Sequence, residues 1–165
     1  MVAVFDAGPL IYLDALGYLP ALGGLYRIII PNAVADELER RPEAFGGDIF
    51  SMENVELRSP TAEDMRVVAS GPPTIDAGEL EVISLALGME ALAVIDDRRG
   101  VRRASRLGVP VVGTLVVLVE LHRAGAARRA FAEDLDALDE AGMYLTDVLK
   151  RRVMERYREI AGGAS

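Results

Sequence analysis

The sequence predicts an α/β fold, a parallel sheet sandwiched between helices. Three observations predict it. Short strand patterns alternate with helical ones along the whole chain. The strands are apolar without alternation, as burial on both faces demands. And 165 residues with 51% apolar content are enough for one buried core. No Ser- or Gly-rich linker, low-complexity tract or internal repeat intervenes, so residues 1–165 are expected to form one domain, closed by C-terminal helices over about 128–160.

Residues 2–5 read as an apolar strand, and Pro9 opens a helix with Leu10, Ile11, Leu13 and Leu16 as its stripe. A short helix over about 18–25 precedes a β-branched strand at 27–30, stopped by Pro31. Asn32 is the expected cap of a helix reaching about Arg40. Residues 55–58 form a weaker strand, and Thr61 opens the next helix. Asp76 and Glu79 make a capping-box pattern ahead of a helix that is apolar nearly all round, hence deeply buried. A strand at 91–95, a helix at 98–107 and a strand at 109–112 follow, and helices near 114–124, 128–140 and 146–160 complete the chain.

Composition narrows the chemistry. There is no cysteine, which excludes disulfides, thiolate zinc sites, iron–sulfur clusters and cysteine nucleophiles. The one histidine, His122, rules out a multi-histidine metal site and argues against a histidine-based triad. With no Trp, four Phe and five Tyr, few rings are left to stack on single-stranded bases. The first residues lack a basic segment and meet Asp6 too early for a signal peptide. The longest apolar run, 109–119, is broken by Pro110, Gly113 and Thr114 and falls short of the roughly 18–20 residues that span a bilayer. A cytoplasmic protein without membrane contact is expected. The net charge of −8 disfavours nucleic-acid binding over the whole surface. Lys150 is the one lysine among 18 basic residues. Arginine suits bidentate phosphate contacts, so a phosphate site would be a local arginine patch.

Ligands of open α/β sheets bind outside the carboxyl ends of the strands. Asp6 ends the first strand, and Asp96 and Asp97 end the strand at 91–95. If those strands are neighbours, about 4.8 Å apart, Asp6 and Asp96 face each other across the crevice. Glu37 lies on the helix after the second strand and Glu79 in the first turn of the buried helix. Four carboxylates without a lysine partner suit a hard divalent cation, Mg²⁺ or Mn²⁺. The competing reading is local: Asp6 capping the Pro9 helix, Asp76 with Glu79 capping theirs, and Asp96 or Asp97 capping the arginine helix. Glu37, a turn inside its helix, is the acid that capping explains least.

Four segments resemble, in order, the motifs of PIN-domain proteins, a fold of metal-dependent ribonucleases that includes toxins of bacterial and archaeal toxin–antitoxin pairs. They are Asp6-Ala7-Gly8-Pro9-Leu10-Ile11, Ile30-Pro31-Asn32-Ala33-Val34-Ala35-Asp36-Glu37-Leu38, Asp76-Ala77-Gly78-Glu79-Leu80, and Val94-Ile95-Asp96-Asp97-Arg98-Arg99 with Gly113-Thr114-Leu115. The similarity runs from Val4 to about residue 160. It implies a three-layer sandwich with strand order 3-2-1-4-5. It also implies Asp6, Glu37, Glu79 and Asp96 as catalytic acids, with Asp6, Asp96, Glu79 and the accessory Asp97 around Mg²⁺ or Mn²⁺. Water activated by the metal would then attack an RNA phosphate in line, leaving 3′-hydroxyl and 5′-phosphate ends. The partners implied are RNA, a second copy of the chain and an antitoxin. The chain departs from the family pattern at Ala7, where a Thr or Ser usually follows the first Asp. Backbone N–H groups or Thr114 are the candidates to replace that hydroxyl. An inactive module binding nucleic acid or protein is the alternative.

At about 100° per residue, Arg98, Arg99, Arg102, Arg103 and Arg106 share one arc of about 140° beside Asp96. They are the candidate RNA-backbone contacts, with Thr114, or else a merely solvated face. His122 reads as a packed or partly exposed helix residue, and Glu133, Asp134, Asp136, Asp139 and Glu140 as a solvated face. The last helix is amphipathic, with its partner left open. A haloacid-dehalogenase-type phosphatase would need an acid where Gly8 stands, a receiver domain would need a lysine after a late strand, and no glycine fingerprint follows the first strand.

Overall fold

A computed structural model describes residues 1–71 and 74–162. The strands are β1 (Val2–Phe5), β2 (Arg27–Pro31), β3 (Val55–Arg58), β4 (Leu92–Val94) and β5 (Val111–Val112). Between and after them run α1 (Ala7–Ala15), α2 (Leu19–Leu22), α3 (Asn32–Glu39), α4 (Ala62–Ala69), α5 (Ala77–Met89), α6 (Arg98–Arg106), α7 (Thr114–Arg123), α8 (Phe131–Glu140) and α9 (Asp147–Gly162). The strands form one parallel sheet in the order β3-β2-β1-β4-β5, flanked by helices.

β1 lies at the centre because it is apolar on both faces: Ala3, Val4 and Phe5 are wholly buried, like Ile28, Ile29 and Ile30 on β2 and Ala93 and Val94 on β4. α5 crosses β1, β2 and β4, and its buried Val82, Ile83, Leu85 and Ala86 explain why it is apolar nearly all round. Val4 pairs with Ala93 and Phe5 with Val94, and the Asp6 N–H donates to Val94 O at 3.0 Å. The β1 and β4 ends are thereby locked side by side. Among the described residues, no helix is long and apolar enough to cross a membrane.

Several local expectations are corrected. Asn32 is not the cap of α3. Its side chain donates to Ser59 Oγ at 2.6 Å, and the Ala33 N–H at the helix start is accepted by Glu81 of α5 at 3.0 Å. Pro31 belongs to β2, paired with Arg58 rather than ending the strand before it. The helix expected over 18–25 shrinks to a single turn, α2.

Asp134 is not on a solvated face either. It is wholly buried, accepting from Tyr18 Oη at 2.8 Å and Arg129 Nε at 2.9 Å, and it sits 2.7 Å from His122 Nε2. This network ties α8 to α7 and to the start of α2. Of the two readings of His122, packed or partly exposed, the structure has the first, with the ring edge-on to Phe131 and Tyr157.

Candidate functional site

The cleft at the carboxyl ends of β1 and β4 is built from three short stretches of chain. Asp6 leaves β1 without capping α1, since its side chain makes no capping bond to that helix. Asp76 and Glu79 open α5 as a reciprocal capping box: the Glu79 N–H donates to Asp76 Oδ1 at 2.8 Å and the Asp76 N–H to Glu79 Oε2 at 3.0 Å. Asp97 caps α6, accepting from the Arg99 N–H at 2.7 Å. Asp6, Thr74, Ile75, Asp76, Glu79, Asp97 and Arg99 line a cleft of about 450 Å³. Asp6 and Asp76 converge on a small residue, because a Cβ at Gly78 would stand 3.4 Å from an oxygen of each.

The electrostatics mark the same place. Burial pushes the Asp6 carboxyl up to about 7, against the help of the Ala7 N–H, and the charges of Asp76, Glu79 and Glu37 raise it further. Glu79 also rises to about 7. Burial is the chief cause, opposed by the Asp76 N–H and reinforced by Asp76 and Asp97. A hydrogen bond that protonated Glu79 can donate to the Asp97 carboxylate adds to the rise. Glu79 Oε1 is buried and has no hydrogen-bond partner among the described residues. A Cβ at Gly100 would fall 2.8 Å from it, so α6 can pass this close only where it carries a glycine.

Asp96, expected to face Asp6 across the crevice, is tied to the start of α7. Its Oδ1 accepts from the Thr114 N–H at 2.8 Å and its Oδ2 from Thr114 Oγ1 at 2.6 Å, so it stitches the start of α7 to the end of β4. A Cβ at Gly113 would lie 2.7 Å from Asp96 Oδ1, and glycine there permits the approach. Burial raises the Asp96 carboxyl while the two Thr114 bonds lower it. Thr114 is wholly buried, so it braces an acid instead of presenting itself to a ligand. Glu37 is half-exposed, reaches Asp6 through its charge, and sits 3.5 Å from Arg41.

The arginine ridge divides. Arg98, Arg99, Arg102 and Arg106 are exposed, and Arg99 reaches the cleft. Arg103 is corrected: it is 4% exposed and donates to the carbonyls of Ser70 and Gly71, turned inward to hold the loop after α4. The helical wheel gave all five one arc, and the position of that loop decides which of them is covered.

Sequence reasoning missed Asp76 as a member of the acidic group, because its capping role explained it fully. The signal was there. A capping box puts both acids at one helix start, so a Glu79 facing the cleft brings Asp76 with it.

Residues 2–159 match the DUF3368 family, described as a PIN domain. The chain belongs to the PIN-domain family. PIN domains are generally nucleases and generally use divalent metal ions. A solved structure of a PilT N-terminus domain protein from the hyperthermophilic archaeon Sulfolobus solfataricus P2 is 19% identical, covering 88% of this chain and 98% of its own, with a TM-score of 0.46. No curated protein matches the chain.

The residues of the cleft fit a divalent cation on two counts. The donors are all carboxylate oxygens, which hard cations prefer, and one of them is buried and unpartnered. Their spacing is looser than a closed coordination shell. Among the described residues, no three acidic or histidine side chains are near enough to hold a metal ion together.

Proposed function

We propose that this PIN domain is a divalent-metal-dependent endoribonuclease. The observation that carries the reading is the unpartnered, buried Glu79 Oε1, set against Asp97 in a cleft where Asp6 and Glu79 both rise to about 7. Carboxyls held that high are short of positive charge, which a cation relieves.

Asp6, Glu79 and Asp97 would hold Mg²⁺ or Mn²⁺, with Asp96 adjoining. A divalent cation, when bound, acidifies a water and neutralises charge on the scissile phosphate. The chain's own residues do the rest. Asp76 orients Glu79 through their reciprocal bonds, and Thr114 holds the Asp96 carboxylate in place of the hydroxyl missing at Ala7. The Ala7 N–H faces Asp6 and favours its charged form. Arg99 binds an RNA phosphate at the cleft, and Arg98, Arg102 and Arg106 continue the positive rim. Family membership supports the wider proposal: a cytoplasmic toxin, paired with a second copy and restrained by an antitoxin protein.

The test is cleavage of a labelled single-stranded RNA with Mn²⁺ or Mg²⁺. We expect cleavage by the protein and none above background by Asp6→Asn or Glu79→Gln. Equal cleavage by all three overturns the mechanism. A second reading, a module that binds RNA without cutting it, is favoured by Ala7 and by the open spacing of the acids. Binding without cleavage selects it.

A further inference from the structure

We infer that Tyr12 of α1 and Arg41, just past α3, form a subsite beside the cleft that takes one unpaired nucleobase of a single-stranded RNA and its flanking phosphate. The identity of the ligand rests on the RNA-directed reading above.

α1 starts at the cleft, immediately after Asp6. Its second residue, Gly8, has no side chain, and a Cβ there would stand 3.9 Å from Asp96 Oδ2. Tyr12 lies one turn further along the same helical face. Aromatic side chains on a helix lean back toward its N-terminus, which carries this ring toward Gly8 and the cleft. The ring is packed against the core on one side and partly open on the other. Its hydroxyl makes no hydrogen bond to any described residue. Burial and then the Asp96 carboxylate push the phenol above its ordinary pKa, while Arg41 pulls it down, so both charges act on this ring. Arg41 approaches Glu37 at 3.5 Å and Glu43 at 4.0 Å, yet its side chain remains 48% exposed.

The other rings are committed elsewhere. Phe5, Tyr18, Tyr26, Phe45 and Phe131 are buried, Phe50 is packed against the core, Tyr157 stacks on Phe131, and Tyr144 projects from the connection between α8 and α9. Tyr12 is therefore the ring that this chain offers at its cleft. An open aromatic face beside an exposed guanidinium matches a base with its phosphate. A duplex keeps its bases stacked and paired, and cannot present one to the ring.

The experiment measures binding of a fluorescein-labelled RNA 12-mer, single-stranded and as the same sequence in duplex, by the full chain in EDTA so that no cleavage occurs. Tyr12→Phe is expected to bind the single strand within about twofold of the unmodified protein. Tyr12→Leu is expected to weaken single-strand binding by about 5- to 150-fold, the range for one stacked base, and to leave duplex binding alone. Arg41→Ala is expected to reduce the salt dependence by about one phosphate contact. Because the chain has no tryptophan, Tyr12→Trp supplies a lone reporter. Its emission is expected to be quenched by the single strand and not by the duplex, even if the Leu variant folds poorly. Absence of single-strand binding, an unquenched Trp, or a Leu variant that binds like the unmodified protein overturns the inference. A protein that binds through Tyr12 but never cuts RNA sinks the nuclease proposal and leaves the subsite standing.

Discussion

Asp6→Asn should make the metal-free protein more stable at alkaline pH while silencing it. In the unfolded chain this carboxyl ionises near 3.8, and in the fold near 7. Below about pH 4 both states keep the proton and the group is neutral to stability. As pH rises further, the unfolded state releases its proton while the folded state holds on, so stability falls until pH passes about 7. At 1.36 kcal/mol per pKa unit the full loss is about 4 kcal/mol, of which about 3 kcal/mol arises between pH 5 and pH 8. Asparagine keeps the shape and cannot ionise, so the variant escapes that loss. Urea or thermal unfolding in EDTA, followed by circular dichroism at pH 5 and pH 8, reads the difference. The gap in midpoint between variant and unmodified protein should widen by about 6–12 °C across that range. Mn²⁺ should then close it by stabilising the unmodified protein alone. A gap that is the same at both pH values, or a variant less stable at pH 8, would refute the claim that burial and crowded acids hold this carboxyl up.

Arg103→Ala should lower stability by about 2–3 kcal/mol, because it strips the Ser70 and Gly71 carbonyls of a charged donor, whereas Arg102→Ala should stay within about 0.5 kcal/mol. Equal effects in urea unfolding would restore Arg103 to the exposed ridge. Asp134→Ala should lose about 3–5 kcal/mol, since it leaves Tyr18, His122 and Arg129 around an uncompensated gap. A loss below 1 kcal/mol in the same measurement would show that network to be dispensable. Gly100→Ala should cost about 1–3 kcal/mol, because its methyl would press Glu79 Oε1 and Ile95 Cγ2 at 2.8 and 2.9 Å. It should also weaken Mn²⁺ binding, read by the thermal midpoint with and without the ion.

The sheet was readable because its strands are continuous apolar runs, a pattern that belongs to residues near one another in sequence. The caps at Thr61, Asp76 and Asp97 were readable for the same reason: each lies within three residues of the N–H it accepts. What escaped depended on distant partners. Asn32 looked like a cap until Glu81, nearly fifty positions later, took that N–H. Arg103 shares a face with exposed arginines and is covered by a loop 32 residues before it. Asp134 sits in an acid-rich stretch, yet Tyr18, 116 residues away, makes it part of the interior. Of the acids, Asp6 and Glu79 stand at the cleft as their motifs implied. Asp96 turned to Thr114 because a glycine at 113 let it approach, and no periodicity reports on that.

The central position of β1 has a consequence for the order in which this protein is made. Its neighbour on one side, β4, emerges from the ribosome more than eighty residues later, and Phe5 and Val94 can pair only then. Such long-separation closures come late in folding. A nascent chain that stops short of Leu92 already carries Asp6, Glu37, Asp76 and Glu79, but has neither the strand nor the α6 helix that gathers Asp97 and Arg99 to them. Whatever reaction the finished cleft performs has to wait until β4 and α6 have joined the elements made before them.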